Sequence, residues 1–406
     1  MRVLGGGVGV RHVGVYGTGM GRLLLALACG FLLASLAPTG APGEAPQEGC
    51  RRCDKRGVVP CSKHSEEIIA AEGRVHFCSV VAGCEECGGA LVVDCKRCDG
   101  GPDNAAMEAR RAEVAEWMKR NEIEAHFGRP VSRCETDHCE LVVDLKGNFK
   151  VGRSRIDAHE LMHLIADDTS HVGRRVEEHY DLEEDEIFAK MRMWIWESAA
   201  DHMSAVETFM HTSARGDFKM LGKDPVFSVW KEPGLFSSPG AIRTVFTHNV
   251  GHMLISNMFR ERDVGPIGGG WYDAGAGHWY EYDRFDSSVQ YCIEEATALS
   301  SFADGVWRAA MRKLVARTDE PLLPPLLDVP TTAMNVQQQA ICWSFHDWIV
   351  ANHREKMRHV LRDLKQKKPT RDVMKEHLGL GVLQAEEAWK QWVLDTYPTR
   401  EKKKRR

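Results

Sequence analysis

His248 and His252 stand four residues apart in Thr247-His248-Asn249-Val250-Gly251-His252-Met253-Leu254. On a helix that spacing stacks two imidazoles on one face, where both can ligate one metal ion. Such a metal polarises a carbonyl or activates a water, and the water needs a base. In helices of this design the base is a Glu directly after the first His. Here that position holds Asn249, and an amide has no useful basicity. The alternative reading is a pair of neutral core histidines bonded to other polar groups.

A literal His-Glu-x-x-His occurs earlier, at His159-Glu160-Leu161-Met162-His163, with Glu160 as its base. Glu197, in Glu197-Ser198-Ala199-Ala200-Asp201, would be its third ligand. The helical wheel opposes this site. Leu161, Leu164 and Ile165 form the apolar stripe, which leaves His159 and His163 facing solvent among Glu160, Asp167 and Asp168. Glu197 directly follows a predicted strand and reads as a charge at the start of a helix.

The chain has 13 cysteines, and eight of them lie between Cys50 and Cys98. Three Cys-x-x-Cys knuckles are visible: Cys50/Cys53, Cys84/Cys87 and Cys95/Cys98. Two such pairs close a tetrahedral zinc site. The spacing predicts one site from Cys84, Cys87, Cys95 and Cys98. A second would combine Cys50 and Cys53 with two of Cys61, His64 and Cys78, with Cys61 and Cys78 favoured. The glycines after the knuckles resemble the zinc finger of DnaJ-type chaperones, with fewer knuckles and over about fifty residues. Disulfides are the competing reading in an oxidising compartment. Cys134 and Cys139 look like a local disulfide, and Cys292 and Cys342 like small packed hydrophobes.

The N-terminus reads as an export signal: Arg22, a short apolar run from Leu23 to Leu36, then the Pro/Gly/Ala stretch Pro38 to Pro46. The run is too short for a membrane span. A lipid anchor at Cys29 is the minor alternative, and Met20 competes with Met1 as the start. The expected location is therefore periplasmic or extracellular. The net charge of -5 gives no general case for nucleic acid.

The elements that must position these residues follow from periodicity and caps. Helices are predicted over Pro102 to Glu124, about Ile156 to Tyr180, Arg243 to Arg260, Tyr291 to Leu314, Gln337 to His353, Met357 to Lys365 and Ala385 to Tyr397, and Trp271 to Phe285 reads as an aromatic segment. Strands are predicted over Leu141 to Leu145 and Met191 to Trp196. The fold class is α+β: signal and linker (1–45), Cys-rich module (46–102), α/β layer (103–240), mostly helical domain (241–400) and basic tail (401–406).

His248 and His252, followed by Trp271-Tyr272-Asp273-Ala274-Gly275, resemble the gluzincin, or peptidase-MA-like, metallopeptidases. The resemblance implies a His-Glu-x-x-His helix and a second helix that supplies a Glu as third zinc ligand. Ala274 stands at that Glu position. Asp273, His278 or Glu281 could substitute, and His278, one turn on from Ala274, is preferred. The implied function is a degenerate peptidase that binds a peptide or protein in the old cleft. The alternatives are an active zinc peptidase using His159, Glu160 and His163, and a Cys-rich scaffold without chemistry.

Overall fold

In the computed structural model the described residues are 50–400, except 66–73, 99, 184–185, 188, 234–235, 237, 260–262, 267 and 293–301. The segment predicted as an export signal, Cys29 and the basic tail lie outside them. Among the described residues no helix is long and apolar enough to cross a membrane.

The Cys-rich region contributes β1 (Val58–Pro60), β2 (Phe77–Cys78), the short helix α1 (Ser79–Ala82) and β3 (Val92–Asp94). β1 pairs with β3 in a two-stranded ribbon. Next come α2 (Asp103–Lys119), α3 (Glu122–Phe127), β4 (Arg133–Glu135), β5 (Cys139–Asp144) and the hairpin β6 (Phe149–Val151) and β7 (Ser154–Ile156). The single helix predicted over Pro102 to Glu124 is thus two, broken where Asn121 leaves helical geometry and caps α3 by accepting from Glu124 N.

After the hairpin run α4 (Ala158–Tyr180), β8 (Met191–Trp196), α5 (Ala199–Met210), β9 (Phe218–Met220) and β10 (Val226–Trp230). The main sheet has six strands in the order β2-β4-β5-β8-β10-β9. Its centre, β5-β8-β10, is parallel, and its edges are antiparallel. Alternation along β8 feeds both faces: Met191, Met193 and Ile195 join the core shared with α4, while Trp194 and Trp196 pack with Ala205 and Val206 of α5.

The helical part comprises α6 (Pro239–Asn257), α7 (Gly270–Phe285), α8 (Arg308–Val315), α9 (Val336–His353), α10 (Met357–Lys365), α11 (Thr370–Val373) and α12 (Val382–Thr396). The helix predicted over Tyr291 to Leu314 starts later. Ala303, Asp304 and Gly305 all have positive φ, so within the described residues an α-helix begins only at Arg308. One hydrophobic cluster runs from Cys61 through α4, β8 and α6 to Tyr397.

Two devices hold α6 and α7 in place. Asp168 of α4, fully buried, takes Arg243 of α6 at 2.6 Å and Arg284 of α7 at 2.6 Å. A buried carboxylate bound by two guanidiniums fixes three helices at one point. The wheel had placed Asp168 in solvent. α6 and α7 also cross on glycine: a Cβ on Gly277 would meet His252 Nε2 at 2.3 Å.

Candidate metal centres

The cysteine knuckles pair in nested order. Cys50 and Cys53 gather with Cys95 and Cys98, and Cys61 and His64 gather with Cys84 and Cys87. Cys50 Sγ is 3.6 Å from Cys95 Sγ, and Cys53 Sγ is 3.5 Å from Cys98 Sγ. Cys61 Sγ is 3.9 Å from Cys84 Sγ, and Cys87 Sγ is 3.4 Å from His64 Nε2. This corrects the expected grouping of Cys84 and Cys87 with Cys95 and Cys98. The β1–β3 ribbon makes the difference, because it brings the chain after Cys53 back beside the chain before Cys95. It also replaces Cys78 by His64. Cys61-Ser62-Lys63-His64 has the spacing of the other knuckles, a signal the sequence carried in plain view.

Each set offers four ligands, as a closed structural site does. Cys98 is pushed up to about 12, first by its hydrogen bond to Cys53, while Cys50 is lowered to about 6 by backbone amides. Metal-free thiols this close must share protons, and a bound cation removes that conflict. Cys134 and Cys139 are not joined in the expected disulfide. Burial pushes Cys139 up to about 12.

α6 is buried on every side, as its sequence predicts. His248 Nε2 lies 3.1 Å from His252 Nε2. The third partner is Cys292, whose Sγ is 3.3 Å from His248 Nε2 and 3.1 Å from His252 Nε2. Ligands around a zinc at about 2.0–2.3 Å stand roughly 3.3–3.8 Å apart, so the triangle is slightly contracted but of the right size. Each histidine is braced through its other ring nitrogen. His252 Nδ1 lies 2.7 Å from Asp273 Oδ1, and His248 Nδ1 lies 3.1 Å from Glu281 Oε2. That is how proteins orient metal-binding imidazoles.

The expected third ligand, His278, stands beside this triangle. Its Nε2 is 2.8 Å from Gln339 Oε1 and 3.9 Å from Cys292 Sγ; its Nδ1 is 2.9 Å from Ser288 Oγ. Gln339 Oε1 accepts, so His278 Nε2 carries a proton and offers no lone pair unless that bond breaks. Cys292, read from sequence as a packed hydrophobe, completes one group with His248 and His252, while the expected His278 falls in a second, overlapping group with His248 and Glu281. For Cys292, only its polar neighbours, Gln290 and Tyr291, hinted otherwise. Cys342 does pack as expected, 1% exposed.

Burial sets the electrostatics. His248, His252 and His278 are driven well below the ordinary histidine range, so they are neutral, as ligands must be. Burial pushes Glu281 up to about 7. It also raises the Cys292 thiol, which the Lys219 ammonium of β9 opposes.

The other histidine helix is less exposed than the wheel implied, because β2 lies over the start of α4. Cys78 Sγ is 3.3 Å from His159 Nε2, and His159 Nε2 is 3.0 Å from His163 Nε2. Glu160 points elsewhere: its Oε2 accepts from Asp157 N at 2.9 Å in a capping box. Glu197 accepts from Lys146 N at 2.9 Å and Lys231 Nζ at 3.0 Å, just before Ser198 caps α5. It is no part of the group formed by Cys78, His159 and His163.

These groups can hold metal ions. No protein-family model matches the chain, and no curated protein matches its sequence.

Proposed function

We propose that this chain is an exported, gluzincin-like metalloprotein whose α6 centre holds zinc in a degenerate peptidase site, and that it binds a peptide or protein without cutting it. His248, His252 and Cys292 would hold the ion, which would supply Lewis acidity to a carbonyl. Two imidazoles and a thiolate suit zinc better than calcium or magnesium.

The observation that carries this reading is that, among the described residues, the carboxylates bonded to the two histidines, Asp273 and Glu281, are already committed. Asp273 takes His252 and Thr331 Oγ1, the latter at 2.8 Å. Glu281 takes His248 and accepts from Ser288 Oγ at 2.7 Å, Val289 N at 2.7 Å and Gln290 N at 3.2 Å. Asn249 turns away, and its Nδ2 donates to Val245 O at 2.9 Å. Among the described residues the centre has ligands and braces, and the carboxylates that brace its histidines are not free to accept a proton from water. The second helix of the resemblance supplies orienting carboxylates here, and a cysteine supplies the third ligand.

The two cysteine groups add a scaffold, with four ligands each and no position left for a substrate. The test is metal content and peptide hydrolysis of the full chain beside Cys292→Ser and His252→Ala. The reading expects each variant to lose one zinc equivalent and all three proteins to leave peptides intact. Chelator-sensitive cleavage by the wild type would overturn it. Loss of that cleavage in Glu160→Gln would move the chemistry to α4.

A further inference from the structure

Cys78 belongs to neither cysteine group. Of the eight cysteines from Cys50 to Cys98, seven enter the two four-ligand groups, because His64 fills the eighth place. The cysteine left over sits in β2, on the edge of the main sheet, and its sulfur meets two imidazoles from α4.

We propose that Cys78, His159 and His163 form a separate site for a zinc-like divalent cation that clamps β2 to the first turns of α4. The three ligand atoms all lie within 4.8 Å of one another, with neighbours at 3.0 and 3.3 Å, a slightly contracted version of the spacing about one zinc-sized ion, as at α6. One sulfur and two imidazole nitrogens select a borderline-soft metal. The His159–His163 spacing is intrinsic to one helix face. The sulfur is brought there only because β2 pairs with β4, setting Cys78 opposite Cys134.

The role is structural. β2 is two residues long, and so short a ladder holds little by itself. Phe77 stacks on Trp117 with ring centroids 5.3 Å apart, which supports the strand from one side. A metal at Cys78 holds it from the other. Glu160, the base of a hydrolytic site, is engaged in capping its own helix. The ion would therefore tie the Cys-rich region to the α/β layer, and it is independent of the α6 centre.

The experiment uses the full-length protein, loaded with zinc and separately with cobalt. Metal per chain and the thiolate-to-cobalt absorption are measured for wild type, Cys78→Ser, His163→Gln and Cys78→His. The expected result is one equivalent fewer in Cys78→Ser and in His163→Gln. Cys78→His should regain the equivalent but not its share of the thiolate band. His252→Ala should remove a different equivalent, so the double variant with Cys78→Ser loses two. An unchanged metal count in both Cys78→Ser and His163→Gln overturns the proposal, whatever happens at α6. If Cys78→Ser does not fold, alkylation of the wild type decides: Cys78 should be protected until a chelator is added, and equal labelling with and without chelator overturns the site.

Discussion

α4 and α6 each carry two histidines one turn apart, and each pair meets a cysteine from a distant part of the chain. They differ in what surrounds the pair. On α6 the histidines are 4% and 1% exposed, and each leans on a carboxylate of α7. On α4 they are half-buried at a seam between an edge strand and a helix start. The literal His-Glu-x-x-His belongs to the seam, and the degenerate motif belongs to the enclosed centre. A motif's letters therefore say less than the company its side chains keep: Glu160 matches the pattern and caps a helix, while Asn249 breaks the pattern in the better-built site.

The sharpest way to break this comparison is to remove one histidine from each helix. In chelated protein, His252→Ala leaves buried Asp273 with Thr331 Oγ1 but without its histidine partner, which costs roughly 3 kcal/mol. His163→Ala at the seam should cost about 1 kcal/mol, because solvent reaches the group. Denaturant unfolding of the two apo variants measures the gap. Equal losses would mean that the α6 pair is no better supported than the α4 pair.

Histidine burial without any brace gives a reference point. His346 of α9 is fully buried, and neither ring nitrogen has a hydrogen-bond partner. Burial lowers its pKa to about 3. The unfolded chain takes up this proton near the ordinary histidine value of about 6.5, whereas the folded chain does not. Stability is thus full above pH about 6.5 and falls as the pH drops towards 3, by up to about 1.4 kcal/mol per pH unit. His346→Phe should flatten this acid limb, gaining about 3 kcal/mol at pH 4 relative to wild type. An unchanged slope in pH-dependent unfolding would show that some other group carries it.

The braces themselves come next. Asp273→Asn keeps the shape of the side chain but weakens its pull on the Nδ1 proton of His252. The α6 centre should lose about 10–100-fold in zinc affinity, while the α4 and cysteine groups keep theirs. Competition against a chromophoric chelator reads this directly. A loss spread over all sites would indicate general unfolding instead.

How much of this was legible in the sequence depends on range. Single-helix and single-strand patterns were readable: α6 as a helix apolar all round and β8 from Met191 to Trp196. They rest on local periodicity and caps. The cysteine ligands that were missed join residues far apart in the chain. Cys292 reaches His252 across 40 positions, and Cys78 reaches His159 across 81. No helical wheel contains either partner. His64 is the exception, since its knuckle is local and only the letter differs. The nesting of the knuckles needed the β1–β3 ribbon, and a sequence offers no spacing rule for that register.

The smallest effect tests the reading of Glu160. In the capping box Asp157 Oδ1 accepts from Glu160 N at 2.8 Å, and Glu160 Oε2 accepts from Asp157 N at 2.9 Å. Glu160→Ala removes one of these two bonds and leaves both histidines in place. It should cost about 1 kcal/mol of stability, the usual worth of a cap, and no metal equivalent. A carboxylate acting as a base at an α4 metal would behave otherwise, giving little change in unfolding and a large change in any hydrolysis. Measuring thermal unfolding and peptide cleavage on the same variant separates the two, because the cap holds the Glu160 carboxylate against Asp157 N, whereas a base would have to face the metal.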